Sequence, residues 1–359
     1  MLSFAQHSIK DFLKMNFEQY KIEFSKIASS SGYTEQNIQK CINYVEPLFL
    51  NDVPVIYNTS NLSALVGYKK EYLKKAVKYT SYYYRDFEIL KKNGKKRKIS
   101  EPLPSLKEIQ IWILENILYK IKVSPYAKAY KPKVGLMENL RFHKKQPKVF
   151  TIDLENFFPS IKLKSIETIF LNLGYSIYVS SLLAKLCCRE NSLPQGAPTS
   201  PYLSNIFLKN ADEQISIYCK ENKIRFTRYA DDLTFSGDFD ENKLLEFVTE
   251  IFNSKELKIN ESKSKLMTPN LRQIVTGIVV NEKPQVVFHK RNELRQSLYF
   301  IKKFGFDEHV KHKEIKKANY LEHLLGKVNF VLQINPKDEE FKKYKTHLIE
   351  IKKIRDQNN

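Results

Sequence analysis

The sequence predicts an α+β chain, with helical stretches towards both ends and a small group of strands between them. Three observations predict it. Residues 224–229 and 233–236 alternate apolar and polar side chains on either side of Ala230-Asp231-Asp232, the period of two that marks a strand pair joined by a turn. A further apolar run over residues 149–158 reads as a strand and carries an aspartate, Asp153. From 105 to 121, by contrast, Leu106, Ile109, Ile113, Leu114, Ile117, Leu118 and Ile121 recur at three- and four-residue steps, the stripe of a helix lying on a core.

The chain has 359 residues, enough for a large core and two or three subdomains. With 42% hydrophobic residues it is not disordered throughout. Its formal net charge of +20 predicts attraction to a polyanion, and on charge alone nucleic acid and acidic membrane compete. No apolar run approaches the roughly 20 residues a membrane helix needs. The N-terminus opens an amphipathic stretch rather than the apolar core of a signal peptide, so no membrane is expected. Cys41, Cys187, Cys188 and Cys219 form no CxxC pair and suggest no zinc site. A reduced, cytoplasmic location is the expectation.

In chain order, residues 1–90 read as helical. Phe12, Met15 and Tyr20 mark one apolar face, and Ile38, Ile42 and Val45 a second. Leu62, Leu65, Val66 and Leu73 mark a third, interrupted at Gly67. A helix-turn-helix DNA reader is one reading of that break; a small helical pair packed on a neighbour is the commoner one. Residues 91–98 follow, six of the eight basic, and Asn93-Gly94 signals a tight hairpin turn. The plain reading is a solvated loop; the functional one is a hairpin reaching over a triphosphate. The 105–121 stripe, with the single Trp112, is expected in the core. Residues 127–148 are irregular and basic. Helical sequence runs from about 164 to 190, with Leu182, Leu183 and Leu186 inward. A Pro-containing loop over 193–201 opens another helix, and 240–252 form an amphipathic one. Residues 273–281 read as a β-hairpin arm whose Gly277 permits a bulge or close backbone approach. From Lys290 the chain is helical and lysine-rich, with an apolar stripe at Leu321, Leu324, Leu325 and Val328.

Asp231 and Asp232 have a bland explanation, since aspartate is a good turn residue. Three acidic groups at strand ends of a strongly basic chain point instead to divalent metal and phosphate. Mg²⁺ suits one or two carboxylates plus substrate phosphates. Two such ions can stabilise the attacking and leaving oxygens of an in-line displacement.

At these residues a family resemblance enters. Tyr229-Ala230-Asp231-Asp232, the Leu193-Pro194-Gln195-Gly196-Ala197-Pro198 loop and the block over 153–161 resemble the core motifs of reverse transcriptases, in the family's order. Val275-Thr276-Gly277 resembles the VTG signature of retron reverse transcriptases. Asn139-Leu140-Arg141-Phe142-His143 is similar to their NAxxH element, with Leu140 in place of alanine. The resemblance spans roughly residues 60–336. It implies a right-hand polymerase, with an N-terminal helical extension over 1–60 and fingers over 61–148. The palm, a small antiparallel sheet backed by helices, covers 149–285, with a fingers segment around 162–195. A thumb with basic C-terminal helices covers 286–359.

The resemblance also implies roles. Asp153, Asp231 and Asp232 are the catalytic and metal-binding carboxylates for two Mg²⁺ ions, with the Leu154 carbonyl as a further oxygen. Arg97, Phe158, Gln195, Gly196 and Lys263 bind the nucleotide. Phe158 gates against a ribose 2′-OH, while Phe157 faces inward by strand-like alternation. Asn139, His143, Val275, Thr276 and Gly277 recognise RNA, although His143 as an ordinary surface histidine stays open. The implied partners are a structured non-coding RNA, its cDNA product, dNTPs and a separate effector or toxin protein. The implied reaction starts from an RNA 2′-OH and gives branched RNA–DNA (msDNA), in anti-phage defence. The alternatives are a stand-alone defence-associated enzyme, a group II intron-like enzyme (which expects a maturase region after the thumb) and a non-catalytic RNA-binding scaffold. A viral RNA polymerase is disfavoured, because its usual tip is Gly-Asp-Asp.

Overall fold

The computed structural model describes residues 15–90, 94 and 96–357. Phe12 and most of the basic turn, residues 91–93 and 95, lie outside the described residues. The chain divides into two compact units, each assembled from several stretches.

The first unit takes the described residues through Pro132, with Leu154–Ile215 and Phe247–Ile259. Its helix Phe17–Ser30 starts on a capping box, in which Asn16 Oδ1 accepts from the Gln19 amide at 2.9 Å and Gln19 Oε1 from the Asn16 amide at 3.1 Å. Thr34 caps the next helix, Glu35–Leu50. Of the first apolar face expected here, Met15 precedes the helix, and Tyr20, with Phe24 and Ala28, shares a core cluster with Ile38, Ile42 and Val45 of the second. Helices Thr59–Val66 and Lys70–Lys78 follow, hinged at Gly67 in the left-handed region (φ 75°), and their Leu62 and Leu73 are fully buried.

The helical expectation fails before residue 90. Tyr84–Leu90 is a strand, β1, paired antiparallel with β2, Lys96–Pro102. Only Tyr84 of β1 is buried, so no one-sided apolar alternation announced it. Helix Pro104–Asn116 buries Leu106, Ile109 and Ile113 completely, whereas Trp112 and Leu114 are half-buried at its flank; it stops short of the expected 121, and a 3-10 turn, Leu118–Lys120, precedes Ile121. The 164–190 region is two helices, Leu163–Asn172 and Ile177–Cys187, separated at Gly174. That residue has φ 101°, and a Cβ there would stand 2.8 Å from Pro47 Cβ. Conformation and close packing both require glycine at this break. Leu182, Leu183 and Leu186 are buried as expected.

The second unit takes Lys133–Asp153, Ser216–Glu246 and the chain from Asn260. Its sheet has the order β4-β5-β3-β6, from β3 (Lys148–Asp153), β4 (Arg225–Tyr229), β5 (Asp232–Gly237) and β6 (Lys265–Met267). Every neighbouring pair is antiparallel. A second, three-stranded sheet is built from β7 (Ile274–Val275), β8 (Ile278–Val279) and β9 (Gln285–Val286). Val275, Ile278 and Val286 pack into one core with Leu298 of helix Phe288–Phe304, with Leu324 and Val328 of helix Tyr320–Ile334, and with Phe341 and Leu348 of helix Glu339–Gln357. Among the described residues, no helix is long and apolar enough to cross a membrane.

Candidate active site

The second unit brings the three aspartates together. β4 and β5 pair from Arg225↔Ser236 to Tyr229↔Asp232, leaving Ala230 and Asp231 as a two-residue turn. Ala230 takes φ 61°, the left-handed conformation such hairpin turns demand. β3 lies on the other side of β5, and its register sets Asp153 directly opposite Asp232. Paired residues of an antiparallel ladder share a sheet face, so Asp153 and Asp232 stand side by side, with Asp231 next in the chain.

The tip is held from inside. Arg228 is fully buried, and its Nη1 donates to the Ala230 carbonyl of the turn at 2.9 Å. This residue escaped the sequence reading, although there was a signal: Ile224, Phe226 and Arg228 occupy one side of the alternation, and an arginine there interrupts an inward apolar row. On that inward side Phe226 and Phe235 stack, with ring centroids 5.1 Å apart.

Charge at the site is unbalanced. Burial, together with the Asp231 and Asp153 carboxylates, pushes the Asp232 carboxyl up to about 7, against the opposing pull of Lys263. Lys263 Nζ lies 2.5 Å from Asp153 Oδ1. It projects from the turn Glu261–Lys263, which is tied to the end of β3 by a 2.8 Å bond from the Asn260 amide to the Asp153 carbonyl. Among the described residues, no three His, Cys, Asp or Glu side chains are already gathered as a metal site. The donor set nonetheless fits a hard divalent ion: oxygen ligands only, crowded until one prefers its proton, with a lysine ammonium already drawn onto another. The expectation that Lys263 binds the nucleotide therefore meets a different contact here, with a carboxylate.

Five further expected residues belong to the first unit and are described within it. Arg97 is exposed on β2, opposite Ile89, and makes no ion pair among the described residues. Its neighbours do pair across the hairpin: Lys96 with Glu88 at 2.6 Å and Lys98 with Asp86 at 3.1 Å. The 193–201 loop packs on the same strand, the Ser100 amide donating to the Gln195 carbonyl at 2.8 Å. Gly196 has φ 134°, and a Cβ there would stand 2.7 Å from the Ser100 carbonyl oxygen, so any side chain would push the loop off β2. Arg189, unnoticed in the sequence, braces this arrangement by donating to Asp86 and, at 3.0 Å, to Ser100 Oγ. Its guanidinium holds the Asp86 carboxyl well below the usual range. Phe157 is buried and Phe158 half-buried, the division expected. The cause differs, because the pair opens a short helix, Phe157–Ser160, instead of continuing a strand. Leu154 forms an isolated bridge with Ile259.

The RNA-recognition expectations need correction. Asn139 and His143 are both fully buried. They lie four residues apart on one helical face, and that face turns inward onto β4 and β5. His143 is therefore not the surface histidine left open by the sequence. Val275 is fully buried in the core around the second sheet. Only Gly277 of its tripeptide is exposed, with Thr276 half-buried. Thr276 and Gly277 form the β7–β8 turn with φ 46° and 80°. A β-branched residue in that region costs about 1–3 kcal/mol, a strain that the surrounding core holds in place.

A small antiparallel sheet with carboxylates at adjacent strand ends is the build of a template-directed polymerase. The sequence model of the family described as reverse transcriptase (RNA-dependent DNA polymerase) matches residues 89–321. The chain is 32% identical over 290 residues to the retron Ec86 reverse transcriptase of Escherichia coli, covering 79% of this chain and 87% of that protein. It is 32% identical over 273 residues to the retron Se72 reverse transcriptase of Salmonella heidelberg, covering 73% and 72%. To the retron Ec83 reverse transcriptase of Escherichia coli it is 30% identical over 274 residues, covering 71% and 84%. The chain belongs to the retron-type reverse transcriptases: it is an RNA-directed DNA polymerase of a family that generally uses divalent metal ions.

Proposed function

We propose that this polymerase copies a structured non-coding RNA encoded beside its gene into single-stranded DNA, starting from a 2′-OH of that RNA, in the cytoplasm and in the service of anti-phage defence with a separate effector. The observation that carries the catalytic part is the register that sets Asp153 opposite Asp232 beside Asp231. In this reading the three carboxylates hold two Mg²⁺ ions, with the Leu154 carbonyl as a further ligand. Bound there, the ions supply Lewis acidity at the primer hydroxyl and neutralise charge on the triphosphate. Lys263 leaves Asp153 as that charge is balanced and turns to the incoming phosphates. Arg97, exposed and without an ion-pair partner among the described residues, grips the triphosphate through its planar fork. Gln195 and Gly196 line the nucleotide pocket, and Phe158 fills the space of a 2′-OH. In this reading the fingers cover 61–148, the palm 149–285 and the thumb 286–359. Exposed Gly277 and half-buried Thr276 remain the part of their signature that can reach RNA.

The test is to express the locus with its flanking DNA and treat the extracted nucleic acid with debranching enzyme. A 2′–5′ joined product shifts in mobility as its branched RNA is lost. A discrete DNA that debranching never changes, with no RNA attached, would replace this reading with the stand-alone defence enzyme. Phage plating on the same cells, with and without Asp231→Asn, tests the defence role.

A further inference from the structure

The buried Asn139–His143 pair meets the catalytic hairpin at two matched points. Thr227 lies on β4 four residues before Asp231, and Ser236 lies on β5 four residues after Asp232. His143 Nε2 is 2.7 Å from Thr227 Oγ1, and its Nδ1 is 2.7 Å from Ser236 Oγ. Both hydroxyl residues are buried with it. The proton positions follow from counting. Thr227 Oγ1 donates its one proton to Asn139 Oδ1 at 2.6 Å. It can therefore only accept from the imidazole, so Nε2 carries the N–H. Nδ1 is then the acceptor, and the Ser236 hydroxyl donates to it. The ring is neutral: burial, and secondly the Arg225 charge, push it down to about 3. Asn139 thus fixes the tautomer of His143 through Thr227.

The direction of this link matters. In the β4–β5 ladder Thr227 stands opposite Thr234, and Ser236 stands opposite Arg225. The imidazole therefore joins a diagonal rather than a paired position. Ladder hydrogen bonds run perpendicular to the strands and resist their separation; a diagonal tie resists one strand sliding or twisting past the other. Sliding of β4 past β5 would distort the turn that carries Asp231 and pull on Asp232 at the start of β5, and a misplacement of about 1 Å can cost on the order of 100-fold in rate. A second tie anchors the end of β4 away from the turn, where Arg225 Nη1 donates to the Phe142 carbonyl at 3.0 Å.

We propose that His143, set by Asn139, is a positioning residue that fixes the shear of the β4–β5 hairpin and so the place of its two aspartates. This rests on the reading of Asp231 and Asp232 as catalytic, and Asp231→Asn is measured alongside to test that separately. The experiment uses the full-length chain in primer extension on RNA, with active sites titrated by burst amplitude. The rate constant at saturating dNTP, the dNTP KM and the RNA Kd are measured for His143→Ala, His143→Gln, Thr227→Val and Ser236→Ala. The expected result is a rate per active site roughly 10- to 100-fold lower in His143→Ala, with KM and RNA Kd unchanged within about a factor of two. Thr227→Val should fall in the same direction and be non-additive with His143→Ala, as members of one network are. His143→Gln, whose amide offers both a donor and an acceptor on a shorter reach, should recover part of the rate. A merely structural role would lower burst amplitude and Tm and leave the rate per active site intact, which overturns the proposal. A weakened RNA Kd at an unchanged rate overturns it in favour of RNA contact. If His143→Ala does not fold, Thr227→Val and Ser236→Ala decide alone, and an unchanged rate per site in both overturns it. Full activity of Asp231→Asn would instead sink the reading of the site.

Discussion

Two antiparallel hairpins carry Arg97 on the one hand and Asp231 and Asp232 on the other, and they are built in opposite ways. β1–β2 exposes six of the seven residues of its first strand, and its cross-strand contacts are surface ion pairs such as Arg85–Glu101 at 2.8 Å. Exposed pairs of this kind contribute about 0–1 kcal/mol each. β4–β5 buries five of the six residues of its second strand, stacks Phe226 on Phe235, and holds its turn from below with Arg228. The difference separates two demands. Carboxylates must already stand in place when substrate arrives, whereas a cation that closes on a triphosphate has to let go of pyrophosphate afterwards. Burial serves the first, and a solvated arm serves the second.

The largest effect expected breaks that contrast if it fails. Asp231→Asn keeps the size of the side chain and removes its charge, so primer extension should fall by about 1,000-fold or more, with RNA binding left within a few-fold. Arg97→Ala should instead raise the dNTP KM by roughly 10-fold with kcat little changed, the signature of lost uniform binding. Steady-state extension and filter binding on both variants decide. If Arg97→Ala depresses kcat as deeply as Asp231→Asn, the exposed hairpin is part of the pre-set site and the distinction collapses.

Phe157 and Phe158 repeat the contrast between adjacent residues. Phe157 is 4% exposed and is core; Phe158 is half-buried and free to meet a sugar. Phe158→Val should raise ribonucleotide use relative to deoxyribonucleotide use by roughly 10-fold or more, since a site that excludes by shape loses its discrimination when the wall is cut back. Competition assays with a matched dNTP and rNTP measure the ratio directly. An unchanged ratio places the gate elsewhere.

What could be read from the sequence follows the same division. The β4–β5 hairpin was legible because Ile224, Phe226, Leu233 and Phe235 are buried on one face, which produces alternation. β1 has neither face buried beyond Tyr84, so Phe87 and Ile89 are exposed and no period could mark it. The helical stripes at Leu106–Ile109–Ile113 and Leu321–Leu324–Val328 were legible for the reason β4–β5 was. Asn139 and His143 were visible as a pair but not in direction: polar residues four apart on a helix look alike whether they face water or a sheet. Only Thr227 and Ser236, more than eighty residues away, supply the hydroxyls that make the inward direction tolerable. Alternation also hid these partners, since it marks the polar side of a strand as solvent-facing, and here Thr227, Thr234 and Ser236 are buried as well.

The smallest effect sharpens the comparison most, because one carboxylate in each hairpin should respond to pH with opposite sign. Arg189 holds Asp86 below its ordinary value of 3.8. Its contribution to stability is therefore present above about pH 4 and lost as pH falls through the lowered value; because the group is largely solvated, that contribution is small. Asp232 is raised from 3.8 to about 7 by burial and its neighbouring carboxylates. Its favourable contribution is present below about pH 4 and lost as pH rises towards and through 7. In metal-free protein, Asp232→Asn mimics the protonated form, so its Tm relative to the parent should climb between pH 5 and pH 8. A shift of a few degrees is the scale, at about 2–4 °C per kcal/mol for domains of this size. Asp86→Asn should lose stability at neutral pH, with the deficit fading below about pH 4. Thermal melts in chelator across this range give both curves. A gap between Asp232→Asn and the parent that stays flat from pH 5 to pH 8 would mean that neither burial nor the neighbouring carboxylates raise Asp232. Added Mg²⁺ should then narrow the gap from the other side, because an ion that binds the folded parent and not the variant stabilises only the parent.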